Sequence, residues 1–306
     1  MTIKTVSLIG LGALGVLYAQ HLQERLPTGK FHVVADTQRI KRYEKEGIFC
    51  NGERCNFTYV DSADKSIQAD LIIIATKFDG LQGAIEAITS QVHDQTTIIS
   101  LINGIISEDM IEKALPQAHV LNCVAQGMDA GKIGNKMNYV NKGILVIGDR
   151  QAHQISPQTT QLAEFFHSID LPYEIEHNMP HKLWGKFMLN VGVNQTVTVI
   201  EGHFADVQKA GAPRNMMIAA MQEVISIAYA EGIELSDTDL VFWLDVLAQL
   251  NPQGKPSMAQ DATARRISEL PLFAETVISF GKKHTIATPV NQHFFDVISE
   301  REKHYS

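Results

Sequence analysis

Positive charge is the first thing this chain of 306 residues has little of: 26 Lys and Arg stand against 34 Asp and Glu, a formal charge of −8. Nucleic acids and anionic bilayers are drawn by a net positive field, so neither is an expected partner, and an anionic small ligand needs its own local Lys or Arg. Cysteine is equally scarce. Cys50, Cys55 and Cys123 are an odd set without a Cys-x-x-Cys pair, and no histidine cluster has metal-ligand spacing. Neither a disulfide framework nor a metal site is expected, and three reduced thiols fit a cytoplasmic location. Repeats and low-complexity tracts are absent. Long apolar runs are missing too. The mostly apolar stretch Val6 to Ala19, preceded by Lys4, imitates a signal peptide. It is too short to span a bilayer, no small-x-small cleavage site follows, and Gln20-His21 resume a helical pattern. No membrane association is expected.

What is present is enough apolar material for two cores: 45% of the residues are hydrophobic in a chain longer than one typical core supports. Short buried strands are read at Lys4–Ile9, Phe31–Ala35, Ala69–Thr76 and Thr96–Leu101. Between them lie helical patterns from Gly15 to about Leu26, Arg39 to Glu46, Leu81 to Ile88 and Glu108 to Leu115. A hairpin region is expected over Gly47 to Tyr59. Strand and helix in alternation imply a parallel sheet covered on both faces. After His119–Val124 the rhythm changes to glycine-punctuated strands, including Gly143–Gly148, which are expected to extend the sheet in antiparallel fashion. From Met179 onward strand signals nearly vanish, and helices are expected over Leu183–Val199, Pro213–Glu231, Asp237–Leu250 and Leu272–Lys283. The expected fold is α/β: a Rossmann-type doubly wound sheet over residues 1–176, then a mostly helical substrate domain over 177–306.

The stretch Gly10-Leu11-Gly12-Ala13-Leu14-Gly15 falls between the first strand and the first helix, where a dinucleotide motif Gly-x-Gly-x-x-Gly belongs. The first glycine permits a tight turn, the second lets backbone approach a pyrophosphate, and the third lets helix pack on strand. Free N–H groups at the helix start then face the phosphates, which places Ala13 and Leu14 among the cofactor-binding positions. Asp36 ends the second strand, where an acid grips the adenine ribose hydroxyls and repels a ribose phosphate. NAD is therefore the expected cofactor, with NADH preferred over NADPH, although Arg39 and Lys41 lie close by.

In the helical half, Lys186, Asn190 and Asn194 recur every four residues and so stack along one side of a helix, beside an apolar stripe of Leu183, Phe187 and Val191. A proton donor and two orienting amides in a row are worth more attention than a solvated face, because two asparagines cost helix propensity. Together with Lys77 after "LIIIAT", Asn103-Gly104 and "SMAQDATARRISE", the segment "LWGKFMLNVGVN" resembles the ketopantoate reductases (2-dehydropantoate 2-reductases) over nearly the whole chain. The resemblance implies an active site in the cleft between the domains. It gives Lys186 as catalytic lysine, Glu269 as its acid partner, Ser257 as binder of the substrate carboxylate, and Asn190 and Asn194 as orienting amides. Asn103 and Lys77 correspond to residues near the nicotinamide and phosphate end.

Simpler readings of the same residues exist. Ser257 with Gln260 spells a capping box. Glu269 lies near Arg265 and Arg266 as for a surface ion pair, Asn103-Gly104 reads as a turn, and Lys77 as a solvated helix start. Four positions depart from the family pattern: Asp36 stands where a cation usually grips the NADP phosphate, Pro271 and Ala274 replace an Asp and an Asn after the acid, and Gln195 replaces a proline. These departures point to a relative acting on another 2-oxo acid, branched-chain or aromatic, to give a D-2-hydroxy acid. Ketopantoate reduction itself is the close alternative. A dinucleotide-binding regulator without activity is another, and a β-hydroxyacid dehydrogenase a third. The apolar stripes of the helical half would also support a homodimer.

Overall fold

The computed structural model describes residues 2–305, and the chain separates into two compact units, one ending at Met179 and the other starting at Pro180. The first unit runs β1 (Val6–Ile9), α1 (Ala13–Arg25), β2 (Phe31–Ala35), α2 (Thr37–Glu46), β3 (Phe49–Cys50), β4 (Glu53–Arg54), β5 (Tyr59–Asp61) and β6 (Leu71–Ile74). It continues with α3 (Leu81–Ile88), β7 (Thr97–Ser100), α4 (Ser107–Ala114), β8 (His119–Gln126), β9 (Gly131–Ile133), β10 (Lys136–Asn138), β11 (Ile144–Gly148), α5 (Pro157–Ser168) and β12 (Tyr173–Ile175).

Eight strands form one sheet in the order β12-β11-β8-β7-β6-β1-β2-β5. From β5 to β8 every pairing is parallel. All residues of β1, β2, β6 and β7 are buried, as strands covered on both faces must be. β1 lies between β2 and β6, so the chain winds outward in one direction and then in the other. That reversal makes the sheet doubly wound and opens a crevice at the carboxyl ends of its central strands. β11 does pair antiparallel with β8. A small sheet, β4-β3-β10-β9, accompanies the main one.

The expected hairpin at Gly47–Tyr59 is real only in part. β3 and β4 form it through Asn51 and Gly52, both at positive φ as a tight two-residue hairpin turn requires. Tyr59 instead begins β5, which leaves the hairpin to pair parallel with β2 at the sheet edge. The helix α5 is an addition to the expected elements, although its start carries a local signal. Ser156 starts it by accepting from the Thr159 N–H, Pro157 takes the first helical position, and Phe165 and Phe166 are buried. The three cysteines are buried and no disulfide joins them. Burial pushes the Cys50 thiol up and the Cys55 thiol up to about 12.

The second unit is helical: α6 (Met179–Val199), α7 (Phe204–Gln208), α8 (Ala212–Ala230), α9 (Asp237–Ala248), α10 (Ser257–Thr263), α11 (Ala274–His284) and α12 (Pro289–Glu302). Two glycines let α6 approach its neighbours. A Cβ on Gly185 would lie 2.5 Å from Trp243 Nε1, and one on Gly192 would lie 2.5 Å from Met221 Cγ. The pair, seven residues apart, faces one side of α6, where α9 and α8 close in. α12 was not anticipated because its start is secured from far away in sequence. The buried Glu223 of α8 accepts from the backbone N–H groups of Val290 at 2.8 Å and Asn291 at 3.1 Å. Asn291 Nδ2 also donates to Glu223 at 2.7 Å, and Gln195 Nε2 of α6 donates to Asn291 Oδ1 at 3.0 Å. Where family members tend to carry proline, Gln195 thus ties three helices through one buried polar network. Among the described residues no helix is long and apolar enough to cross a membrane.

Candidate active site

In the first unit the expected cofactor residues gather along one edge of the sheet. Gly10 follows β1, Asp36 follows β2, and Lys77 and Asn103 come three residues after β6 and β7. These four strands are neighbours in register, with Ile9 opposite Val34 and Ile74, and Ile74 opposite Ser100. Parallel pairing therefore delivers all four residues to the same carboxyl edge, on either side of the reversal between β1 and β6. That edge is where open α/β sheets bind ligands.

The three glycines have different reasons to be there. A Cβ at Gly10, whose φ is +100°, would meet the Ala75 and Thr76 backbone at 2.6–2.7 Å, and a Cβ at Gly15 would lie 1.9 Å from Gly10 O. Internal packing forbids any side chain at both. Gly12 is exposed, has negative φ and would meet only Ala75 O at an ordinary 3.6 Å. Nothing inside the protein excludes a side chain there, which is the pattern expected if the excluded volume belongs to a ligand. Gly12 is also the N-cap of α1, with no side-chain cap and no acidic residue in the first turn. The Ala13, Leu14 and Gly15 N–H groups accordingly open a helix start suited to an anion. These residues fit a dinucleotide pyrophosphate.

Asp36 is exposed at the start of α2, where its Oδ1 accepts from the Arg39 N–H at 2.8 Å and its Oδ2 lies 3.4 Å from Arg39 Nε. It is thus a helix cap as well as the acid at the end of β2. Lys77 is exposed and leads into a single 3-10 turn at Phe78–Gly80. Asn103 is half-buried beside Gly104, whose φ of +97° makes the turn.

Two residues near this edge were not singled out from sequence. Thr76, whose backbone Gly10 approaches, has a buried hydroxyl with no hydrogen-bond partner among the described residues. Glu108, in the first turn of α4, is 1% exposed. One of its oxygens accepts from Ser107 Oγ at 2.9 Å, and Ser107 Oγ, its one proton so used, can accept from Ser100 Oγ at 3.0 Å. Ser100 Oγ accepts from the Ile102 N–H at 3.2 Å, next to Asn103. The other Glu108 oxygen, Oε1, has no partner among the described residues. Burial is the main cause that pushes this carboxyl up to about 7. An acidic residue in a helix first turn reads as surface, which is why sequence hid it.

The second unit supplies the other residues. Lys186, Asn190 and Asn194 lie on α6 about 100–180° round from the Gly185 and Gly192 face, by the helical advance per residue. Lys186 and Asn190 are half-buried and Asn194 is buried. Among the described residues no hydrogen bond reaches the side-chain amide of Asn190 or Asn194. Two amides at the end of a row begun by a lysine are thus uncommitted.

The capping box read from Ser257 and Gln260 does not form. Extended Pro256 takes the cap position, which leaves Ser257 as the exposed first residue of α10, while Gln260 Nε2 donates back to Lys255 O at 2.9 Å. Half-buried Glu269 begins the 3-10 turn Leu270–Leu272. Arg266, read as a partner for it, pairs with Asp261 at 2.8 Å.

Comparison with known proteins bears on this arrangement. Residues 6–152 match the family model described as ketopantoate reductase PanE/ApbA, and residues 178–302 match its C-terminal domain. A 2-dehydropantoate 2-reductase of Vibrio cholerae is 23% identical over 98% of this chain and 99% of its own. Two solved structures share the fold. A D-mandelate dehydrogenase with NADH and anilino(oxo)acetate has TM-score 0.85 at 21% identity, over 98% of each chain. A dimeric ketopantoate reductase from Staphylococcus aureus has TM-score 0.82 at 19% identity, over 99% of this chain and 100% of that one. Both family models fall in order on the two units, and the chain belongs to the ketopantoate reductase family of oxidoreductases.

Proposed function

We propose that the chain reduces a 2-oxo acid to a D-2-hydroxy acid, with NADH as the preferred cofactor. The observation that carries this reading is the row on α6: a lysine followed at four-residue intervals by two amides that the protein itself does not use. When bound, the dihydronicotinamide supplies the hydride, and the chain supplies everything else. Its pyrophosphate would rest on the Gly10–Gly15 turn and the ribose on Asp36, with Lys77 and Asn103 toward the phosphates and the nicotinamide.

As negative charge grows on the carbonyl oxygen, the Lys186 ammonium stabilises it and delivers the proton that makes the hydroxyl. Asn190 holds that oxygen in line with the lysine, and Asn194 orients the 2-oxo acid. Ser257, exposed at the start of α10, takes the substrate carboxylate. Glu269 binds the new hydroxyl or forms an ion pair with Lys186.

Asp36 supports NADH because a second negative charge on the ribose would face its carboxylate. Arg39 beside it is the feature that would favour NADPH. For the substrate, the D-mandelate dehydrogenase with anilino(oxo)acetate supports an aromatic 2-oxo acid. The Vibrio cholerae relative supports the second reading, ketopantoate reduction. The dimeric Staphylococcus aureus relative supports a homodimer. A cytoplasmic location completes the reading.

NADH and NADPH oxidation followed separately against ketopantoate, 2-oxoisocaproate, phenylglyoxylate and pyruvate tests it. The expected result is turnover with NADH on phenylglyoxylate or 2-oxoisocaproate. Turnover confined to ketopantoate would replace the substrate assignment with the second reading. No turnover on any of the four would leave the regulator as the better account.

A further inference from the structure

The helical unit contains a cavity of about 530 Å3 that none of the proposed substrate residues lines. Thr198 at the end of α6, Ala259 and Ala262 on α10, and Arg301 near the end of α12 are among its walls. The volume falls within the range of roughly 300–1,000 Å3 common to small-molecule sites.

Its charge is what distinguishes it. Lys255, Arg265, Arg301 and His304 line it, against one carboxylate, Glu201. Arg301 is fixed: its Nη1 and Nη2 donate to Thr198 O at 2.9 Å and Val199 O at 2.8 Å, capping the last carbonyls of α6. Among the described residues Glu201 pairs with Arg301 alone, at 3.4 Å, with its side chain 76% exposed, so it neutralises little. Lys255 Nζ reaches the Thr263 hydroxyl at 3.3 Å rather than a carboxylate. Arg265 has no ion pair among the described residues and sits at a φ of 50°, a left-handed conformation that non-glycine residues seldom adopt. In a chain of net charge −8, a concave site lined by three cations and one carboxylate, in which Lys255 and Arg265 form no ion pair among the described residues, is not neutralised by the protein's own pairing.

We infer that this cavity binds a small polyanion, a metabolite bearing several phosphate or carboxylate oxygens. Arg301 provides a fixed fork and Lys255 a mobile ammonium. Lys255 precedes α10 and Arg265 follows it, so an anion bridging them would hold both ends of that helix.

The test is calorimetric titration of the full chain with sodium pyrophosphate and, separately, citrate at constant ionic strength, a comparison that distinguishes phosphate from carboxylate recognition. The titration is repeated on the double variant Lys255→Gln, Arg265→Asn, asparagine being chosen because it tolerates left-handed φ. One saturable site is expected for at least one probe, weakened tenfold or more in the double variant. Equal affinity in both proteins would move the binding elsewhere, to the glycine turn for instance, and overturn the inference, as would the absence of saturable binding by either probe. Should the variant fail to fold, the His304 imidazole resonance of the unmodified protein, assigned with His304→Gln, must shift with the same midpoint; a silent His304 contradicts the site. Neither readout depends on turnover, so failure of the proposed reductase activity leaves this inference standing.

Discussion

The glycines of the two units carry different kinds of information. In the sheet unit, Gly10 and Gly15 are enforced by contacts within the fold, whereas Gly12 between them is not. In the helical unit, Gly185 and Gly192 are both enforced by packing against α9 and α8. What lacks an internal reason there is a pair of amides, Asn190 and Asn194. A functional residue is best recognised as one whose identity the fold leaves unexplained, and each unit offers such residues beside neighbours that are fully explained.

The comparison predicts its largest effect within the glycine turn. Gly15→Ala places a Cβ against the Gly10 carbonyl and Gly10→Ala strains both φ and the Ala75 backbone, so each should lower stability by about 3 kcal/mol or more, measured by chemical denaturation. Gly12→Ala should cost only about 1 kcal/mol, as the loss of a glycine N-cap, but weaken NADH binding at least tenfold. If Gly12→Ala loses stability as Gly10→Ala does, the distinction between packing and ligand glycines fails.

A second effect separates the buried Glu108 from the surface acids. Its carboxyl, at about 7 when folded against an ordinary value of 4.5, binds more protons folded than unfolded between those values. Stability from this group is therefore fully present below about pH 4.5, falls as pH rises toward 7, and is lost above it, by up to about 3 kcal/mol. Glu108→Gln should flatten that fall between pH 5 and 8 in denaturation curves. An unchanged pH profile in the variant would mean that Glu108 does not titrate there.

These cases show which parts of the molecule were legible. The carboxyl-edge residues were readable because one rule of topology, parallel strands in a doubly wound sheet, carries Gly10, Asp36, Lys77 and Asn103 to one side. The row Lys186, Asn190, Asn194 was readable because helical period alone aligns it. Elements fixed by distant partners were not. α12 depends on Glu223, sixty-seven residues before Val290, and the one local mark of its start is Pro289 at the first helical position, after a Thr288 that makes no side-chain cap. The Ser257 capping box misled for a related reason: Pro256 starts the helix one residue earlier than the motif assumes.

Asp36→Arg should change stability modestly and cofactor preference strongly. Loss of its cap to the Arg39 N–H should cost about 1 kcal/mol, while the ratio of kcat/KM for NADPH over NADH should rise at least tenfold. A ratio that does not move would show that Asp36 is a cap and nothing more.

The central claim concerns the row on α6, and single-turnover oxidation of NADH by Lys186→Ala with the best 2-oxo acid of the panel tests it most directly. A rate reduced by about a thousandfold, with the thermal midpoint and NADH affinity kept, is the predicted result. A rate within a few-fold of the unmodified protein would contradict the account, since no ammonium would then be needed at the carbonyl oxygen.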